Sequence, residues 1–280
     1  MSDLVRRFTR ERPAVGGLVI LAIVVGAALL GPALWHLSPI AIAHQNLGFP
    51  LPPSPAHPLG TDLLGRDQLA RALQGARISL TVGVTAMVVS VVLGALYGAI
   101  SGFAGGRTDA LMMRFVDAML SFPTFFLVIT VEALTNRFSL AVIVLVIGLL
   151  SWMGVARLVR AEVLSLKQRD FVEAARALGA GPVRLIARHL LPNALAPVAV
   201  AAALAVGDNI LIEAGLSYLG LGIQVPTASW GNMLQDALGP TAIGAPWLVV
   251  VPGMLIVLTL LAFNLVGEGL RVAFDRSIVQ

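Results

Sequence analysis

The sequence predicts an all-α, polytopic membrane protein with six transmembrane helices. Three observations lead there. Hydrophobic residues fill 58% of the 280 positions and charged residues only 12%, with a mean hydropathy of +0.89, more apolar than a soluble core of this size requires. The apolar residues come in runs that, at about 1.5 Å per residue, cross a hydrocarbon layer of about 30 Å. The basic residues are confined to short interruptions between those runs.

An N-terminal tail, residues 1–12, carries Arg6, Arg7, Arg10 and Arg12. The first span follows within 13–37, its apolar run covering 14–34. A cleavable signal peptide competes, with Ala41-Ile42-Ala43 as a small-residue site, but the run exceeds the roughly 7 to 15 residues of a signal core. Residues 38–76 turn polar and Pro-rich and are expected outside. Residues 78–106 carry no charge and hold the second span. Arg107, Asp109 and Arg114 mark an inner loop, and the third span then runs to about residue 134, with Pro123 predicting a kink. The fourth span starts with 138–156 and ends where Arg157 and Arg160 reach the headgroups; the fifth occupies 193–214 and the sixth 246–267. The five later spans form a core over 77–270, leaving a tail at 271–280.

Counting Lys and Arg by loop puts fifteen on the face that holds both termini and four on the other, namely Arg66, Arg71, Arg77 and Arg137. The excess of positive charge predicts that both termini are cytoplasmic.

The interruption at 165–192 is the most distinctive. Asp170, three residues before Glu173, reads as a capping-box-like helix start, and Gly179 lies where a C-terminal cap belongs. Phe171, Ala174, Ala175 and Leu178 follow helical spacing and share a face from which Glu173 and Arg176 point away. Gly181-Pro182 breaks the chain, Pro182 opens a second helix carrying Arg184 and Arg188, and Pro192 marks the next boundary. From periodicity alone this is either a docking element or a basic loop lying on anionic headgroups.

Glu173, Ala174, Ala175, Gly179, Leu191 and Pro192 together resemble the EAA loop of ABC-importer permeases, with His189 where the general pattern has Ile. The resemblance implies a type I ABC importer permease fold and a coupling helix that inserts into a groove on an ATPase subunit. A second string resembles the external segment of the dipeptide, oligopeptide and nickel group: His57-Pro58-Leu59-Gly60-Thr61-Asp62, Gly65-Arg66-Asp67, and Gly75-Ala76-Arg77-Ile78-Ser79-Leu80. Ala70 stands there in place of a common serine. Asp62, Arg66 and Asp67 can pair or bind each other's backbone, and the resemblance makes them an external lip, gate or binding-protein contact. An ordinary ion-paired loop is the plainer reading. Residues 216–245, with Leu216-Ser217-Tyr218-Leu219-Gly220-Leu221-Gly222 and Ser229-Trp230-Gly231-Asn232-Met233-Leu234, look like the family's external segment between spans five and six, with Tyr218 where Phe is usual. Their Gly and Pro content argues for irregular backbone, tolerated at membrane depth only where it is buried in protein or lines a cavity. Tyr218 and Trp230 are expected over the outer mouth of the pathway. The tail is a weak discriminator, with Arg276 where relatives often have Pro.

An Asp at a helix centre costs roughly 2.5 to 3.5 kcal/mol on insertion scales, so Asp208 and Glu213 are expected to face protein or water and are candidate pathway residues. Asn209 and Glu213 are four apart and share a face, whereas Asp208 points elsewhere. Glu132 is expected near the outer end of its span. Gly94, Gly98 and Gly102 recur every fourth residue and let a neighbouring span or a sister subunit approach closely.

Other classes fare poorly. The chain has no cysteine, and His36, His44, His57 and His189 show no ligand spacing, so no metal site is expected. No serine elbow supports an intramembrane hydrolase, and the arginines form no aromatic-studded face for nucleic acid. The only lysine, Lys167, is not part of a phosphate-binding loop. ATP and Mg are therefore expected on partner chains, with no cofactor here. A stand-alone secondary transporter competes, and an internal inverted repeat would favour it, but none is convincing. The resemblance implies a multi-pass protein of the bacterial cytoplasmic membrane whose partners are a second permease subunit, two cytoplasmic ATPases and an extracytoplasmic binding protein. It implies short peptides as cargo, with nickel or a metal chelate as the alternative.

Overall fold

A computed structural model describes residues 2–43, 47–135, 139–239 and 244–274. Helices dominate, and the lone β contact among the described residues is a bridge between Thr61 and Asp67. Arg137, Phe138, His44 and Arg276, used above for orientation, span limits, ligand spacing and the tail, lie outside the described residues.

Helix α1 (Ser2–Arg10) leads into α2 (Arg12–Leu34), the first span. The second, α3 (Gln68–Ala104), is longer than expected at 37 residues because Asp67 caps it, its side chain accepting the Ala70 amide at 2.7 Å. The helix thus takes in residues 68–76, over which nothing breaks a helix. Gly105 and Gly106 both take positive φ and reverse the chain, so Arg107, Asp109 and Arg114 belong to α4 (Gly106–Leu120) instead of an inner loop.

The kink at Pro123 is a break. α4 and α5 (Thr124–Thr135) meet at 79°, and α6 (Leu140–Leu150) meets α7 (Met153–Leu166) at 42°. Proline lacks an N–H and crowds the preceding turn, which accounts for the first break. Among the described residues four helices are long and apolar enough to cross a membrane, up to six if each bent pair is one span; besides α2 and α3 these are α11 (Leu195–Tyr218) and α13 (Trp247–Phe274). Arg160 does not simply reach outward from α7: its guanidinium holds Asp109 of α4 through two bonds of 2.6 Å.

Helix α3 is the central post, packed on α2, α6, α7 and α11. Its glycine seam meets α7 of the same chain. A Cβ on Gly98 would lie 2.3 Å from the Ala156 carbonyl oxygen, and Gly94 and Gly102 are similarly tight against Val155 and Val163. The seam is thus intramolecular, with no space for a side chain. Between α7 and α11 lie α8 (Asp170–Ala177), α9 (Pro182–Leu185), a π turn (Ile186–Leu190) and α10 (Leu191–Asn193). Pro192 cannot donate to the carbonyl four residues back, and the Leu191 amide bonds instead to Ile186 O, which widens the turn. Pro192 therefore lies within a continuing helical path. At the opposite end of the bundle, α12 (Trp230–Gln235) and a 3₁₀ turn (Asp236–Leu238) lie between α11 and α13.

Candidate functional site: a docking helix, an ion-paired cap and a cavity at the bends

Helix α8 begins one residue earlier than its sequence suggests. Arg169 is the extended residue before it and makes no side-chain cap, so Asp170 lies in the first turn with Glu173, where the positive helix end favours both charges. Its end follows the expected pattern: Gly179 has φ +84°, its amide bonds to Arg176 O at 2.9 Å, and the Ala180 amide reaches Ala175 O at 3.0 Å. These two bonds close a Schellman motif.

The buried face of α8 is set by Val172, which is fully buried among Ala99, Val159, Val163, Leu185, Leu190 and Val198. Sequence reasoning passes over it, because in an eight-residue helix one apolar position is no periodic signal. Ala175 is partly buried beside it, whereas Phe171 (41% exposed), Ala174 and Leu178 (89%) look outward with Glu173. Val183 on α9 is 80% exposed. Phe171, Leu178 and Val183 are large apolar side chains left exposed on short helices. Leu191 is partly buried against the Val172 cluster and Pro192 is exposed.

The other end of the bundle is closed by charges. Asp62 accepts the Leu64 and Arg66 amides at 2.9 Å each, the Arg66 Nε at 2.6 Å and the Arg71 Nη1 at 2.6 Å. Asp236 accepts the Nη2 atoms of Arg66 and Arg71 at 2.9 and 2.6 Å. Burial pushes the Asp236 carboxyl up to about 6, with Arg66 opposing and Asp62 adding to the rise. Asp67, besides capping α3, accepts from Trp35 Nε1 at 2.9 Å and contacts His57 Nδ1 at 2.8 Å. Asp62, Arg66 and Asp67 are each at most 5% exposed and Trp230 is fully buried. Their side chains hold the cap together from within, while Tyr218 is exposed. Arg71 and Asp236, which complete the quartet, have no local signal.

Glu213 anchors the cap to the bundle. Its carboxylate accepts from Ser79 at 2.9 Å and Ser217 at 2.7 Å; those hydroxyls in turn accept the backbone amides of Trp230 (3.4 Å) and Ile223 (2.9 Å). Each serine is a relay between a carboxylate in α11 and backbone beyond the helix. Serines spaced through an apolar span could have suggested this; their partners could not be read locally.

Asp208 is exposed on the opposite side of α11 and lines a cavity of about 400 Å³ between the two helix breaks, bounded by Leu120, Thr124, Leu150 and Ser151. Asn209 is 1% exposed, donates from Nδ2 to the Gly83 carbonyl at 3.4 Å, and lines the same cavity. The structure thus brings Asn209 to Asp208 despite their adjacent, diverging positions, and leaves Glu213 out. Glu132 is fully buried. Among the described residues no cluster of His, Asp and Glu could hold a metal.

Residues 91–280 match the family described as binding-protein-dependent transport system inner membrane component.

The chain belongs to that family.

Residues 1–53 match a second description, the N-terminal TM domain of oligopeptide transport permease C. The oligopeptide transport system permease protein OppC of Haemophilus influenzae is 42% identical over 98% of this chain and 87% of its own length. The dipeptide transport system permease protein DppC of Bacillus subtilis is 40% identical over 99% and 85%, and OppC of Escherichia coli K12 41% over 98% and 90%. A chain of the MetNI methionine ABC transporter, solved in inward-facing conformations, shares the fold with a TM-score of 0.57 at 20% identity, covering 73% of this chain and 96% of its own. This family member is a permease, a multi-pass inner-membrane component and not an enzyme.

Proposed function

We propose that this chain is one permease subunit of an ATP-driven importer of short peptides, and that α8 is where a separate ATPase drives it. The observation that carries the reading is the split character of α8: Val172 is fixed in the cluster shared with α3, α7 and α11, while Phe171 and Leu178 face outward. A helix held on one side and apolar on the other is a contact element for a second chain. The relatives named for oligopeptide and dipeptide transport support the cargo.

In this reading the termini and the 165–192 loop are cytoplasmic, two ATPases bind ATP and Mg, a second permease completes the pathway, and an extracytoplasmic binding protein delivers peptide to the cap over 38–76 and 216–245. Asp62, Arg66, Asp67 and Trp230 shape that cap from inside, and Tyr218 is part of its outer surface. ATPase closure moves α8, and the Val172 cluster passes the motion to α7 and α11, switching access between the two sides. The Asp208 face of α11 lies on the pathway.

Coupling is tested in proteoliposomes holding the complete transporter and its receptor. Glu173→Ala and Gly179→Ala are expected to uncouple ATP hydrolysis from uptake; wild-type coupling in both overturns the role of α8. Calorimetry on the cognate receptor, di- and oligopeptides against nickel chelates, tests the cargo, and binding of nickel chelates alone overturns it.

A further inference from the structure

Four oxygen-bearing side chains, Asp208, Asn209, Ser151 and Thr124, line the cavity at the bends. Asp208 is exposed and, among the described residues, has no hydrogen-bond or ion-pair partner. Asn209 donates an amide proton to the Gly83 carbonyl, and its Oδ1 is buried without a partner. Ser151, in the break between α6 and α7, carries a buried Oγ that also lacks one. Buried oxygens without donors are uncommon in folded proteins, and each calls for an explanation. The remaining walls are apolar, from Leu120, Phe125, Leu150 and Ile212. No described cation balances Asp208, although a carboxylate among apolar walls is costly unless paired.

We propose that this cavity is a transit site for a primary ammonium group, the α-amino end of a peptide, held by Asp208 with Asn209 and Ser151 accepting its remaining protons. An ammonium brings one positive charge and three donors, which match one carboxylate and two acceptors. The apolar walls take the first side chain without selecting it. The assignment rests on the peptide reading above and adds to it which end of the cargo the permease holds.

The test uses the complete transporter with its receptor in proteoliposomes and one oligopeptide made in two forms, with a photoreactive leucine at its first or its last residue. Illumination during ATP-driven uptake is followed by mass spectrometry of this chain. First-residue probe is expected on residues around Ser151 and Ile212, in excess over last-residue probe. Asp208→Asn is expected to reduce that labelling about 10- to 100-fold, as loss of a charge-assisted hydrogen bond implies, and Asp208→Glu to restore most of it. Equal labelling from both ends, or labelling that survives Asp208→Asn, overturns the site while leaving wild-type uptake and the peptide reading intact. Absence of peptide uptake by the wild-type assembly overturns both.

Discussion

Arg71 and Asp236 are 165 residues apart in the chain and 2.6 Å apart in space. Arg71 belongs to the first turn of α3 and Asp236 to the 3₁₀ turn after α12, so this contact ties the cap to the central post of the bundle. Removing one partner of a buried pair leaves a charge without compensation, at a cost of about 3 to 5 kcal/mol. Arg71→Met is expected to lower thermal stability in detergent by that order, and Arg71→Met with Asp236→Leu to recover part of it. Additive losses in the double mutant would show that the two side chains act independently.

Asp236 also carries a pH dependence. With its carboxyl raised to about 6 in the folded chain, it holds a proton that the unfolded chain has released at the same pH, from 6 down to about 4. Acidification from pH 7 to pH 5 should therefore stabilise wild type relative to Asp236→Asn by about 1 to 2 kcal/mol. Melting temperatures of the two proteins at both pH values check the sign, and a gap that moves the other way refutes it.

Gly98 has no space for even a methyl group against the Ala156 carbonyl. Gly98→Ala is expected to destabilise the α3–α7 contact by about 1 to 3 kcal/mol through overpacking. Gly154, with nothing near its absent Cβ, gives the control: Gly154→Ala should be within about 0.5 kcal/mol of wild type.

Leu178 and Val172 separate docking from anchoring. Leu178→Arg should leave the permease folded, since the side chain is 89% exposed, yet abolish co-purification with the ATPases. Val172→Ala should keep the docking surface and cost about 1 to 2 kcal/mol of stability. If Leu178→Arg binds ATPase as wild type does, the outward face of α8 is not the contact.

Glu213 is expected to tolerate Gln better than Leu. Glu213→Gln keeps an oxygen for one serine, whereas Glu213→Leu leaves the hydroxyls of Ser79 and Ser217 without their acceptor, each at about 1 to 3 kcal/mol. Proteolysis of the 219–229 segment reads cap release, and equal cleavage in both variants would contradict the relay.

The spans are legible because their signal is local: uninterrupted apolar residues, a proline at 123, and a glycine at 179 where the chain must turn. What escapes is either long-range or too brief to be periodic. Nothing adjacent to Arg71 announces Asp236, and Val172 differs from its neighbours only in the cluster that receives it. Sequence reasoning starts the second helix too late because Pro-rich surroundings obscure that 68–76 is itself a good helix. Charges at Asp62 and Arg66 look like surface lip residues, since burial of four mutually compensating groups is a property of the folded arrangement and not of any one of them.

A helix of 37 residues measures about 55 Å, nearly twice the thickness of bilayer hydrocarbon. The guanidinium-clasped mouth at Arg71 and the interlocked seam at Gly98 are therefore stations on a single stiff shaft, and a tilt imposed at one is felt at the other with no loop in between to absorb it.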